Sequence, residues 1–240
     1  MVKVKVLGLK IFNDDLNIIN IDKKTLINTI SPNSFAISRK DLEFKEVLQK
    51  TDILVLDGLY FGLAPLLLKG VKVKKNSGTD CFYHFLNCAN VMKGKVFFLG
   101  STIEILEKMR KRAKIDYPFI YTSSYSPPFK DKFNKEDNDK MIDAINQFKP
   151  DILFIGMTAP KQEKWAYQTK EKVNANIICT VGNVFDWYAG NQKQPEKIWV
   201  KLGLEWLIRT IRRPEILKRY PNVFYFFWIL FLNIIRIRKD

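Results

Sequence analysis

Apolar residues in this chain fall into short unbroken runs that end at glycine or aspartate, separated by stretches in which apolar positions recur at helical spacing. Ile53–Leu56 delivers Asp57 and Gly58, Val96–Leu99 ends at Gly100-Ser101, Ile152–Ile155 ends at Gly156, and Ile177–Val181 stops at Gly182. Runs of that length bounded by glycine have the pattern of fully buried parallel strands. Helices are predicted over 41–50, 102–113 and 137–148, a strand over 2–8, a turn at Asn13-Asp14-Asp15 and a surface loop over 121–133. The alternation predicts an α/β fold, a Rossmann-like, mostly parallel sheet with helices on both faces. Ligands of such sheets bind outside the carboxyl ends of the strands.

Two of those strand ends carry the densest signals. Met157-Thr158-Ala159 leads into Pro160, a residue suited to the first turn of a helix, so Lys161, Gln162 and Glu163 stand at a helix N-terminus where unpaired N–H groups favour an anion. After Gly182 comes Asn183-Val184-Phe185-Asp186-Trp187-Tyr188-Ala189-Gly190, an acid set among aromatics.

Length and composition narrow the picture. With 240 residues and 47% hydrophobic content the chain can bury one sizeable core. We divide it into an α/β domain over 1–190 and a helical, basic, amphipathic appendage over 191–240. Net charge is +15, which predicts attraction to a polyanion such as nucleic acid, anionic lipid or a phosphorylated substrate. Residues 193–240 hold 11 basic residues against 4 acids, together with the longest aromatic run, Val223–Leu232. That apolar stretch is shorter than the roughly 20 residues needed to span a bilayer. Followed by Arg236, Arg238 and Lys239, it suits either an anchor lying in an anionic interface or a helix packed into a core or protein contact. Cys81, Cys88 and Cys179 have no metal-ligand or redox spacing, and Met1–Val6 alternates like a strand and lacks the apolar core of a signal peptide, so a cytoplasmic protein is expected.

Individual residues admit a chemical and a plain reading. Asp57 is either a turn-capping side chain or a carboxylate released into a cleft, able to accept a proton. Gln162 and Glu163 are either exposed residues of a helix start or part of a site, and Asp186 either caps a turn or contacts nucleotide or sugar. Arg209, Arg212, Arg213 and Arg219 supply either a solvated face or bidentate phosphate contacts. His84 is the single histidine, so a multi-histidine metal site is excluded and a Ser-His-Asp triad would have to pass through it. Asp137-Asn138-Asp139 has the Asp-x-Asp form that holds metal-nucleotide in some transferases, but acids are favourable at a helix start anyway.

Three ordered motifs resemble one known family. Gly156-x-x-x-Pro160-Lys161-Gln162-Glu163-Lys164-Trp165, Phe185-Asp186-x-Tyr188-Ala189-Gly190 and Gly203-Leu204-Glu205-Trp206-Leu207-x-Arg209 are similar to the WecG/TagA/CpsF glycosyltransferases, family 26 of that enzyme class. Thr29-Ile30-Ser31-Pro32, Leu56-Asp57-Gly58 and Gly78-Thr79-Asp80 sit where that family carries Thr-x-Asn-Pro, Asp-Gly and Gly-x-Asp motifs. The resemblance implies Asp57 as general base, Thr29 as a hydrogen-bonding active-site hydroxyl, Gln162 facing the site, and Arg209 and Arg219 closing over the site to hold a diphosphate. Ser31 replaces the family's asparagine, losing an amide fork, Lys75 stands for its arginine, losing bidentate geometry, and a further basic position reads Ile216.

What the resemblance implies is an inverting, metal-independent transferase with no cofactor. It would move an N-acetylhexosamine-type sugar from a UDP-sugar to a polyprenyl-diphosphate-linked acceptor, peripherally bound at the inner face of the cell membrane, with self-association compatible and no nucleic-acid partner. Two other classes remain open at this point: a non-catalytic nucleic-acid-binding protein, and a membrane-associated scaffold that kept the fold and lost activity.

Overall fold

The structure, a computed structural model, describes residues 1–193, 196, 199, 205–212 and 214–237, the side chains of 205, 206, 209 and 237 not among them. The chain begins with a hairpin, β1 (Lys3–Val6) and β2 (Leu9–Phe12), in a two-stranded antiparallel sheet of its own. The expected strand over 2–8 is therefore only the first arm. Leu7 and Gly8 both have positive φ, 49° and 81°, the geometry of a two-residue reversal that matches strand twist.

Six strands form the main sheet: β3 (Thr25–Ile30), β4 (Ile53–Leu56), β5 (Lys95–Gly100), β6 (Tyr121–Tyr125), β7 (Ile152–Gly156) and β8 (Ile177–Thr180). Their order is β4-β3-β8-β7-β5-β6 and every pairing is parallel. This is the Rossmann-like α/β fold expected from the pattern. Side chains alternate between its faces as the pleat requires. Val96, Phe98 and Phe154 pack with α4 (Gly78–Met92), α5 (Ile103–Asp116) and α8 (Val184–Tyr188), while Phe97, Leu99, Leu153 and Ile155 pack with α6 (Lys135–Phe148) and α7 (Lys161–Thr169). A third cluster joins Ile30, Leu54 and Leu56 to the hairpin, α1 (Pro32–Lys40), α2 (Leu42–Lys50), α3 (Leu63–Lys69) and the C-terminal helix Tyr220–Ile237.

Two expectations need correction. Tyr121–Tyr125 is not loop but the edge strand β6, bonded along its length to β5; its Thr and Ser side chains are only half-covered, which is what an edge tolerates. β3 is not among the strands expected from the pattern, because its TLINTI sequence breaks the apolar run with Asn28. That side chain is fully buried and satisfied, donating to Thr51 Oγ1 at 2.9 Å and accepting from Thr180 Oγ1 at 2.8 Å.

The C-terminal helix has two unlike faces. Phe226 is fully buried, its ring 5.2 Å from Phe61 and 5.7 Å from Phe35, and Leu230 is buried beside it. Phe224, Trp228, Phe231, Leu232 and Ile235 are exposed on the rest of its surface. Among the described residues no helix is long and apolar enough to cross a membrane.

Candidate active site

All six parallel strands deliver their carboxyl ends to one cleft of about 1610 Å³, lined from Thr29 and Asp57 at one side to Ser126 and Phe129 at the other. Single small-ligand pockets run to roughly 300–1,000 Å³, so this one has room for more than one substrate group.

Asp57 comes directly after β4 and its position is fixed from both sides. Its N–H donates to Ile30 O at 2.9 Å, Leu56 pairs with Ile30 of β3, and on the outer edge Leu56 forms a bridge with Lys75 while Asn76 N donates to Leu56 O at 3.2 Å. The Asp57 side chain is half-buried in the cleft wall, with half-buried Thr29 and Lys75 lining the same cleft. Gly58 turns the chain away at φ 80°.

Ser31 lines the cleft but its hydroxyl is already employed. It caps α1 by accepting from Ser34 N at 3.3 Å, and Ser34 Oγ accepts from Ser31 N at 2.8 Å. A serine is thus a sufficient cap where the family's asparagine would also be one. Gly78-Thr79-Asp80, matched above to a family motif, is the first turn of α4: Ser77 is its cap and Asp80 Oδ2 accepts from Ser77 N and Oγ at 2.7 and 2.6 Å. A Cβ on Gly78 would stand 3.2 Å from Val181 O, so glycine lets α4 start against the end of β8 and beside Thr29.

Gln162 and Glu163 are not exposed; both are buried in the wall of the cleft. Gln162 Oε1 accepts from the backbone nitrogens of Met157 and Gly182 at 3.2 Å each, and Gln162 Nε2 donates to Glu163 Oε1 at 2.8 Å. The Gly182 N–H, at the end of β8, is therefore spent on Gln162. Burial pushes the Glu163 carboxyl up to about 7, opposed by the Gln162 contact and its own amide, and among the described residues Glu163 Oε2 has no hydrogen-bond partner. Pro160, joined to Ala159 by a cis bond, stands immediately before α7.

Asp186 lies in the first turn of α8, half-buried and lining the cleft, with its Oδ1 accepting from Asn191 Nδ2 at 3.4 Å. Arg219 reaches the cleft from the end of a 3-10 segment, Pro214–Arg219, and Asn222 lines it just beyond. The side chain of Arg209, on the helix Glu205–Arg212, lies outside the described residues, as do Gly203 and Leu204.

Lys161 of the expected helix start also reaches the cleft, as do Phe129 and Asn33, which the sequence did not single out. Lys161 Nζ donates to Lys130 O at 2.7 Å and sits 4.8 Å from the Phe133 ring centroid and 5.9 Å from that of Phe129. Phe129, in a proline-rich loop after β6, is fully exposed at the cleft mouth; an aromatic beside Pro127-Pro128 was the available signal. Asn33 carried no signal of its own.

Other candidates take structural roles. Asp137 completes the capping box of α6, its Oδ2 accepting from the N-cap Asn134 N at 3.1 Å, and pairs with Lys130 at 2.9 Å, and Asn138 Oδ1 accepts from Trp165 Nε1 at 2.9 Å. His84 is half-buried on α4 with Nε2 3.6 Å from Cys88 Sγ, and burial lowers its pKa. No group of three or more His, Cys, Asp or Glu among the described residues is arranged to hold a metal ion.

Strand ends, glycine turns and a helix start that converge on one cleft, with a carboxylate, hydroxyls and cations in its wall, define an α/β group-transfer enzyme. The chain belongs to the WecG/TagA/CpsF family of glycosyl transferases, whose sequence profile matches residues 2–240, and it is a glycosyltransferase. It is similar to proteins named N-acetylglucosaminyldiphosphoundecaprenol N-acetyl-beta-D-mannosaminyltransferase. The Bacillus subtilis protein is 26% identical over 218 residues, covering 90% of this chain and 83% of the relative. The Staphylococcus aureus protein (strain NCTC 8325) is 26% identical over 236 residues, covering 93% and 91%. The Bacillus spizizenii protein is 24% identical over 202 residues, covering 84% and 77%.

Proposed function

We propose that this enzyme is an inverting transferase that moves N-acetylmannosamine, or a related N-acetylhexosamine, from a UDP-sugar to a polyprenyl-diphosphate-linked acceptor sugar in cell-surface polysaccharide synthesis. The observation that carries the reading is the placement of Asp57 at the end of β4, in one cleft with Thr29 and Lys75, into which Arg219 of the C-terminal segment reaches. The activity for which the relatives are named, transfer of N-acetylmannosamine to a diphosphoundecaprenol-linked N-acetylglucosamine, supports the substrate class.

In this reading Asp57 takes the proton of the acceptor hydroxyl as that oxygen attacks the anomeric carbon, and the C–O bond to the diphosphate breaks on the opposite face. A positioned base contributes roughly 10²- to 10⁴-fold. Gly182 N–H being committed to Gln162, the charge on departing UDP falls to Lys75, Lys161 and Arg219; the family resemblance alone adds Arg209 to them. The step runs without a metal. Thr29 and Asp186 hold sugar or nucleotide hydroxyls. The exposed Phe224, Trp228 and Phe231, with Arg236 beyond them, rest on the anionic inner leaflet and bring the cleft to a lipid-anchored acceptor.

The test is a panel of UDP-sugars with a short-chain polyprenyl-diphosphate N-acetylglucosamine, tracking UDP release by wild type and Asp57→Asn. Acceptor-dependent release from one donor that collapses in the variant is expected. Equal release by both proteins would remove Asp57 from the mechanism, and silence across the panel from folded, vesicle-bound protein would move the substrate elsewhere.

A further inference from the structure

The Gln162 side chain has a fixed orientation, because two backbone N–H groups, which can only donate, point at its Oε1 from Met157 and Gly182. Its Nε2 is then directed to residue 163, where only an acceptor satisfies it. Glu163 Oε1 is that acceptor, at 2.8 Å. Met157 lies just past β7 and Gly182 just past β8, so a single amide ties together the two strand-end loops at the middle of the cleft. We propose that Glu163 is the positioning residue of this site, holding Gln162 in the one orientation that clamps the Met157 and Gly182 loops, and that it does so as the neutral acid.

The surroundings of Glu163 set its charge state. It is 2% exposed and its Oε2 has no partner among the described residues, so a proton, not a counter-charge, neutralises the carboxyl. The cations on or beside its helix are engaged elsewhere: Lys164 with Asp41 and Glu43 at 2.7 Å each, Lys170 with Asp52 at 2.8 Å, and Lys161 with Lys130 O at 2.7 Å. From the facing elements Asp57, Lys75 and Asp186 line the cleft, and none of them enters the balance set by burial, Gln162 and Glu163's own amide. Raising the pH through the carboxyl's elevated range creates a buried anion supported only by Gln162 Nε2 and its own amide. Its relief is to turn toward cleft water, away from Gln162 Nε2, which frees the clamp. The geometry stands apart from the transferase reading; only the effect on turnover rests on it.

The experiment monitors the amide signals of Met157 and Gly182 in ¹⁵N-labelled full-length protein as pH is raised across neutrality, in wild type, Glu163→Gln and Glu163→Met. In wild type both signals move together with one midpoint near the value of about 7 that burial gives the carboxyl. Glu163→Gln keeps an acceptor and has no charge to gain, so both signals hold still and both amides exchange within about twofold of wild type at acid pH. Glu163→Met offers no acceptor, and both amides exchange about tenfold faster. A midpoint that persists in Glu163→Gln, or unchanged protection in Glu163→Met, overturns the proposal. Should Glu163→Met not fold, the comparison of wild type with Glu163→Gln decides by itself. No sugar nucleotide is present, so the result is independent of the substrate panel. Where turnover is measurable, kcat/KM of wild type falls above neutrality and that of Glu163→Gln does not.

Discussion

Asn222, in the first turn of the C-terminal helix, donates its side-chain amide to Asn33 Oδ1 in the first turn of α1 at 2.9 Å. Both residues line the cleft, and Arg219 precedes Asn222 by less than one helical turn. The C-terminal segment is thus pinned to the wall of the site at the point where its cation enters. Asn222→Ala removes one partly buried hydrogen bond, worth about 0.5–1.5 kcal/mol. A fall of about 2–4 °C in Tm is expected for a domain of this size. The KM for the diphosphate-bearing substrate should rise while kcat changes less, because Arg219 loses its support. Thermal melting with steady-state kinetics checks both, and an unchanged KM would show that Arg219 is held some other way.

Lys75 and Arg219 enter the cleft from the outer edge beyond β4 and from the C-terminal segment. If both meet a diphosphate, Lys75→Ala and Arg219→Ala should each weaken UDP binding about 10- to 100-fold, the scale of a hydrogen bond to a charged group. Lys75→Arg should retain or improve it by restoring a fork that a lysine lacks. Calorimetric titration at two salt concentrations measures this. Affinities unmoved by both alanine changes would place the diphosphate away from this pair.

The strands β4, β5, β7 and β8 were legible because nothing interrupts their apolar runs, and Asp57 and Asp186 were legible as polar residues following such runs, whereas the inward placement of Gln162 followed only from the family resemblance. β3 and β6 were not, for opposite reasons. Asn28 breaks the pattern of β3 and is tolerated only because Thr51 and Thr180, distant in sequence, complete its bonds. β6 is polar because it is an edge and needs one partner, β5. Local sequence likewise cannot show that the Ser31 hydroxyl is absorbed by Ser34, or that Glu163 at a helix start points inward. Each depends on which element packs alongside, and that is set by the sheet order.

The two faces of the C-terminal helix predict opposite responses to truncation. Phe226 is fully buried against Phe35 and Phe61, so Phe226→Ala should cost about 3–5 kcal/mol and lower Tm accordingly. Trp228 and Phe231, 57% and 52% exposed and 6.0 Å apart, should cost little when changed together to alanine. If this face rests on lipid, that double variant loses cosedimentation with anionic vesicles while turnover of a soluble short-chain acceptor is kept. Vesicle binding that survives the double change assigns the face to something other than a membrane.

Glu163 gives a prediction about stability with a defined sign. Its carboxyl rises on folding from an ordinary 4.5 to about 7, so the folded state holds the proton more tightly than the unfolded chain. Stability therefore falls as pH rises between those two values and levels off above them. The shift corresponds to a penalty on the order of 3 kcal/mol, fully present above neutrality and absent in acid below the unfolded value. Glu163→Gln keeps the acceptor for Gln162 and carries no charge, so it should match wild type in acid and exceed it in stability at alkaline pH. Denaturant unfolding of both proteins at an acid and an alkaline pH measures the difference. A gain of that kind at a residue lining the cleft is what a group retained for function, at a cost to the fold, would produce. Parallel stability curves for the two proteins would mean that Glu163 finds a partner or water once charged, and that its burial carries no such cost.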